Sequence, residues 1–209
     1  MIATKNICFV DRVFSRAGRL LFLLATLAVA GCGGSAPAFR ATDISGTTEW
    51  GRDFALPDAT GQMRRLADFR GKAVVLFFGY TQCPDVCPTT LSAMAEVVKL
   101  LGSDGAKLQV VFVTLDPERD TPALIVEYMA QFHPDFLGLR GDKAATEAVA
   151  REFKVFYTKQ AAGAAGGYTI DHTAGSYVFD PQGRLRLYVR HGAPAADIAA
   201  DLKLLLAGK

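Results

Sequence analysis

Two cysteines, four positions apart and each followed by proline, stand between an apolar run and a helical pattern, and this junction limits what the chain can be. Ala73–Phe78 has the length and composition of a strand buried on both faces. Gly79-Tyr80-Thr81-Gln82-Cys83-Pro84-Asp85-Val86-Cys87-Pro88-Thr89-Thr90 follows it. Leu91, Met94, Ala95, Val98 and Leu101 then recur at spacings of three and four, with Gly102 as a stop, so an amphipathic helix is expected from Pro88. Pro84 biases Cys83 towards an extended conformation, and Pro88 suits a first helical position, which makes Cys87 the expected cap. On a helical turn both sulfurs share one face, near enough to hold one metal ion or to close into a disulfide. Backbone N–H groups at a helix start favour a thiolate there as ligand and nucleophile. A merely structural disulfide is the poorer reading, because so short a loop removes little unfolded-state entropy and strains a helical turn.

The N-terminus bears on the fate of these thiols. Residues 1–31 read as a secretion signal, with basic residues up to Arg19, an apolar stretch from Leu20 to Ala30 and small residues before Cys32. That stretch is too short to span a bilayer. Val29-Ala30-Gly31-Cys32 resembles the lipobox of bacterial lipoproteins, with valine where leucine is commoner, and implies lipidation of Cys32. The mature chain is therefore expected in the cell envelope, lipid-anchored and facing the periplasm or the extracellular side, with the cytoplasmic membrane favoured. Cys8 leaves with the signal and Cys32 carries the lipid, so Cys83 and Cys87 remain as the free thiols. Export also reinterprets the formal charge of +2: without residues 1–31 the balance is 19 basic to 20 acidic side chains, which gives no reason to expect a nucleic-acid partner.

Along the mature chain, residues 32–50 are small and polar and read as a tether, which leaves 51–209 as one domain. Phe54–Asp58 and Gln62–Leu66 flank a glycine turn as a short hairpin. Leu108–Leu115 is a β-branched central strand running into Asp116-Pro117-Glu118-Arg119-Asp120-Thr121-Pro122, and the C-terminal end of such a strand is where open α/β sheets place ligands. Helices are expected over Pro122–Phe132, from Asp142 to Phe153 and over Ala195–Leu206. Short extended pieces are expected at Phe136–Arg140 and Val155–Thr158, a flexible loop at Gln160–Gly167, and a hairpin of Ser176–Phe179 with Arg184–Arg190 around Asp180-Pro181-Gln182-Gly183. This order describes an α/β, thioredoxin-like domain: a central mixed sheet flanked by helices, with an N-terminal hairpin.

Two soft thiolates suit copper(I) or zinc, and two ligands alone hold either ion poorly. His172, 85 residues after Cys87 and just before an expected strand, is the candidate third ligand, with Asp171 and the nearby backbone available to orient its ring. Met94 sits in the apolar stripe as a core residue, and His133 has no cysteine or second histidine at ligand spacing. Cys83-Pro84-Asp85-Val86-Cys87-Pro88, the Asp116–Pro122 run, and Asp171-His172-Thr173 leading to Tyr177-Val178-Phe179-Asp180 together resemble the Sco/SenC family of copper-binding, thioredoxin-fold proteins over roughly residues 51–207. The resemblance implies that Cys83, Cys87 and His172 bind one copper per chain, as copper(I), copper(II) or both. It places Asp116 beside the site without making it a ligand. It also implies a role as metallochaperone, thiol reductant or both in building the dinuclear copper centre of cytochrome c oxidase. The implied partners are the copper-bearing oxidase subunit and other copper chaperones or thiol reductants. Many relatives use a transmembrane anchor where this chain is read as using a lipid.

A thiol enzyme is the rival. Peroxiredoxins also place a reactive cysteine after a strand with a threonine nearby, and Thr81 ahead of Cys83 fits that pattern. Thiol–disulfide oxidoreductases of this fold put two residues between their cysteines, and here there are three.

Overall fold

A computed structural model describes residues 38–161 and 167–209. Its strands are β1 (Thr42–Asp43), β2 (Ala55–Pro57), β3 (Met63–Arg65), β4 (Ala73–Gly79), β5 (Leu108–Thr114), β6 (Leu137–Leu139), β7 (Tyr157–Ala161), β8 (Tyr168–His172), β9 (Ser176–Phe179) and β10 (Leu185–Val189). Its helices are α1 (Val86–Leu101), α2 (Pro122–Ala130), α3 (Lys143–Glu152) and α4 (Ala195–Leu206). Six strands form one mixed sheet in the order β1-β10-β9-β4-β5-β6, with β4, β5 and β6 parallel and β9 antiparallel to β4. The thioredoxin-like expectation holds, N-terminal hairpin included, since β2 and β3 pair antiparallel about Gly61.

Apolar alternation along the central strands builds the two sides of the core. Ala73, Val75 and Phe77 of β4 face α1, α2 and α4, meeting Leu91, Met94, Val97, Met129, Ile198 and Leu202. Val74, Leu76 and Phe78 face the opposite way, towards Phe54, Leu56, Val149 and Phe153. Each buried Val, Leu or Phe among them contributes roughly 1.5–3 kcal/mol. Met94 is a core residue, as its place in the stripe requires.

Three expectations need correction. The tether ends well before residue 50, because Phe39–Lys209 is one compact unit. β1 pairs with β10, and the buried carboxylate of Asp201 on α4 accepts hydrogen bonds from the backbone N–H groups of Arg40 and Ala41 at 2.8–3.1 Å. So short a strand shows no periodicity, and a glycine- and threonine-rich composition hides it. Secondly, α1 begins at Val86, so Cys87 lies inside its first turn and is not its cap. Pro88 is tolerated there because first-turn N–H groups have no helical acceptor. Thirdly, His172 precedes β9 as expected, but the stretch it closes, Tyr168–His172, is an unforeseen strand, with His172 opposite Tyr157 in the β7–β8 pair. The loop expected at Gln160–Gly167 begins in β7, and residues 162–166 lie outside the described residues, as do the signal segment and Cys32. No helix among the described residues is long and apolar enough to cross a membrane.

Replacing Asp201 with alanine leaves the N–H groups of Arg40 and Ala41 without their acceptor, at a cost of about 1–3 kcal/mol. Hydrogen exchange in Asp201→Ala should accelerate across residues 40–44 while β4 and β5 keep their protection. Unchanged exchange at 40–44 would return that stretch to a tether.

Candidate metal centre

Both central strands end together, Gly79 pairing with Thr114, and the segments that leave them carry the site. Asp120, fully buried, ties the two exits: it accepts from the Thr81 N–H at 3.0 Å, from the Thr81 hydroxyl at 2.6 Å and from the Thr114 hydroxyl. Burial pushes the Asp120 carboxyl above its ordinary range even against these donors. With Thr81 fixed, the chain turns at Tyr80–Cys83, where the Cys83 N–H donates to the Tyr80 carbonyl, and enters α1.

Cys87 is buried behind this turn and Cys83 is half-buried in front of it, and both are free thiols. The Cys87 N–H donates to Cys83 Sγ at 3.4 Å. His172 Nε2 lies 3.8 Å from Cys87 Sγ. Its Nδ1 is 2.9 Å from the Thr173 carbonyl, and since a carbonyl only accepts, Nδ1 carries the proton and Nε2 presents a lone pair to the sulfurs. The ligand atoms of Cys83, Cys87 and His172 all lie within 4.8 Å of one another. That separation fits one ion, because two metal–ligand bonds of about 2.0–2.3 Å meeting at a trigonal angle span about 4 Å.

The two thiols differ in acidity. Cys83 is held well below the ordinary thiol range, first by the hydrogen bond from the Cys87 thiol and further by the N–H groups of Asp85 and Cys87, against the opposing effect of burial. Cys87 is pushed up by the same bond and by burial, so Cys83 is the sulfur that ionises first. The thiolate favoured at the helix start is thus Cys83, ahead of α1, and not Cys87 within it. A cleft of about 470 Å³, lined by Tyr80, Cys83, Pro84, Ile170 and His172 among others, gives solvent access to the Cys83 side of the site.

Asp116 connects to the site through its neighbours. Its buried carboxylate takes the Arg119 Nε–H and the Tyr168 hydroxyl, the latter at 2.7 Å. Asp120, Arg119, Tyr80 and Tyr168 are the supporting residues that sequence reasoning missed. Asp120 shares a motif with Asp116, but only its partners Thr81 and Thr114 reveal its task. His133 stays apart, its Nδ1 accepting from the Asp135 N–H, and His191 lies by the Thr90 hydroxyl at 3.3 Å.

Gly79 makes the close approach possible: a Cβ at that position would collide with Cys87 Sγ and press on Phe112. Strand β4 is hydrogen-bonded on both sides and cannot yield, so Gly79→Ala should expel the sulfur from its pocket at a cost of about 1–3 kcal/mol. In a Cys83→Ser background this variant should alkylate Cys87 faster than the parent, with a lower urea midpoint. Equal rates and midpoints would show that the pocket accommodates the extra methyl.

Comparison with known proteins agrees with this geometry. The SCO1/SenC family profile matches residues 42–207. A SCO2-like protein of Rickettsia felis is 37% identical over 142 residues, covering 68% of each chain. The copper-bound ScoI of Bradyrhizobium japonicum is 39% identical, with a TM-score of 0.67 over 75% of this chain and 98% of that one. The apo Sco1 of Thermus thermophilus is 40% identical, with a TM-score of 0.68 over 82% of this chain and 98% of that one. That profile spans most of the chain, Cys83, Cys87 and His172 included, and the chain belongs to the SCO1/SenC family.

Proposed function

We propose that this chain is an extracytoplasmic copper donor, and a thiol–disulfide reductant when metal-free, for assembly of the dinuclear copper centre of cytochrome c oxidase. The observation that carries the reading is the triad: two thiol sulfurs and one imidazole nitrogen within 4.8 Å of one another beside an open cleft. Two thiolates and an imidazole form a soft donor set that suits copper(I), with copper as cargo and Cys83, Cys87 and His172 as its holders. The copper-bound state of the Bradyrhizobium relative supports this assignment, and family membership supports the oxidase as client.

Exchange with a target follows from the unequal burial of the sulfurs. Cys83, half-exposed and the more acidic thiol, is the ligand that an incoming target thiolate displaces first, and buried Cys87 is the last to let go. Without metal, the Cys83 thiolate attacks a target disulfide and forms a mixed disulfide, releasing one target thiolate. Cys87 then attacks Cys83 Sγ and releases the second, so the target leaves as a dithiol and the chain as a disulfide. Only the reduced pair receives copper, which couples the two activities. In this reading residues 1–31 are the export signal and Cys32 carries the lipid.

Reduced residues 33–209, titrated without oxygen, should bind one copper(I) per chain and none tightly once Cys83 and Cys87 are joined. In His172→Ala, competition with a chelator should show copper(II) affinity falling by more than the roughly 10–100-fold typical of losing a supporting residue, with a smaller loss for copper(I). Normal affinities for both ions would remove His172 from the site and favour a thiol enzyme.

Anchoring has its own test. Cys32→Ser should abolish fatty-acid labelling and release the protein from membranes, because the acceptor thiol is gone while the export signal remains. Unaltered labelling would overturn the lipid anchor.

A further inference from the structure

The β7–β8 pair, which carries His172, is a separate two-stranded sheet, so no β-ladder fixes its position relative to β4 and the cysteines. Something else must hold an imidazole on β8 in reach of two sulfurs encoded 85 and 89 residues earlier. The exposed Lys159–Glu118 pair is one link, and an ion pair in water contributes little. Tyr157 packs against the core, and several further links converge on one guanidinium.

We infer that Arg119 is the positioning residue that locks the cysteine turn and the His172 strand into one metal-binding geometry. Its Nη1 donates to the Tyr168 carbonyl on β8 at 2.8 Å and to Gln82 Oε1, next to Cys83, at 3.1 Å. The same guanidinium stacks on the Tyr168 ring, 3.6 Å from its centre, and lies 5.7 Å from the centre of the Tyr80 ring. Tyr80 in turn meets the His172 ring edge-on at 6.2 Å. Asp116 closes the circuit by accepting from both Arg119 Nε and the Tyr168 hydroxyl. Arg119 Nη2 is buried without a hydrogen-bond acceptor, as befits a guanidinium held by stacking as well as by its fork. Arg119 thus grips both ligand-bearing segments. Lysine would keep the charge beside Asp116 but cannot reproduce a planar fork that bonds in two directions while stacking.

The effect on copper affinity rests on the triad being the copper site; the effect on β8 does not. Two measurements on Arg119→Lys, with Tyr168→Leu as a second variant that removes the stack but leaves the carbonyl, separate these halves. In metal-free protein, hydrogen exchange at Tyr168–His172 and at Thr81–Cys83 should rise in both variants, while β5 stays protected. Copper(I) competition should show roughly ten-fold weaker binding in each variant. In a His172→Ala background the same changes should have no further effect on copper affinity, because the lock acts on binding by setting the imidazole against the sulfurs. Wild-type exchange and affinity in Arg119→Lys would show that charge alone suffices and would overturn the inference. So would an equal penalty with and without His172. If exchange rises while His172→Ala itself leaves copper binding unaltered, the lock stands and the copper reading of His172 fails.

Discussion

Everything at the site depends on two parallel strands stopping together. Gly79 and Thr114 pair at the ends of β4 and β5, and the Asp120 carboxylate, buried between their exits, accepts from Thr81 on one side and Thr114 on the other. A carboxylate in that position is costly to bury, and three donated hydrogen bonds offset part of the cost. With the exits fixed, Cys83 and Cys87 take up a defined turn, and the missing side chain of Gly79 leaves room for Cys87 Sγ against the strand. The rigid sheet therefore positions the sulfurs, and the separate β7–β8 pair brings the nitrogen to them.

This division explains what could be read in advance. The central strands announce themselves as apolar runs because both of their faces are covered, and α4 lies where its pattern places it, at Ala195–Leu206. The cysteine pair and His172 were legible as chemistry. Their meeting was not, because it is a contact across 85 residues, visible in one sequence only by analogy with a family. β8 was illegible for a local reason: Tyr168–His172 alternates weakly, buries only Ile170, and gains its order from Arg119 and Asp116 rather than from a core of its own. β1 failed in the same way, since two residues carry no period and the docking of that segment comes from Asp201, some 160 positions away.

Softness and asymmetry together suit transfer better than storage. Two soft thiolates and an imidazole suit copper(I), while one half-exposed thiol of lowered pKa beside an open cleft offers an entry for a competing thiolate. Buried Cys87, its thiol pushed up, favours retention until the first exchange has occurred. A site with both sulfurs buried would bind as well and release poorly.

The central claim is that one ion is held by two sulfurs and one nitrogen of a single chain. X-ray absorption at the copper edge of the copper(I)-loaded protein measures this directly. The account predicts two sulfur scatterers and one imidazole nitrogen, with no copper–copper vector. A sulfur count above two, or a short copper–copper distance, would mean a thiolate-bridged cluster shared between chains, and would contradict it.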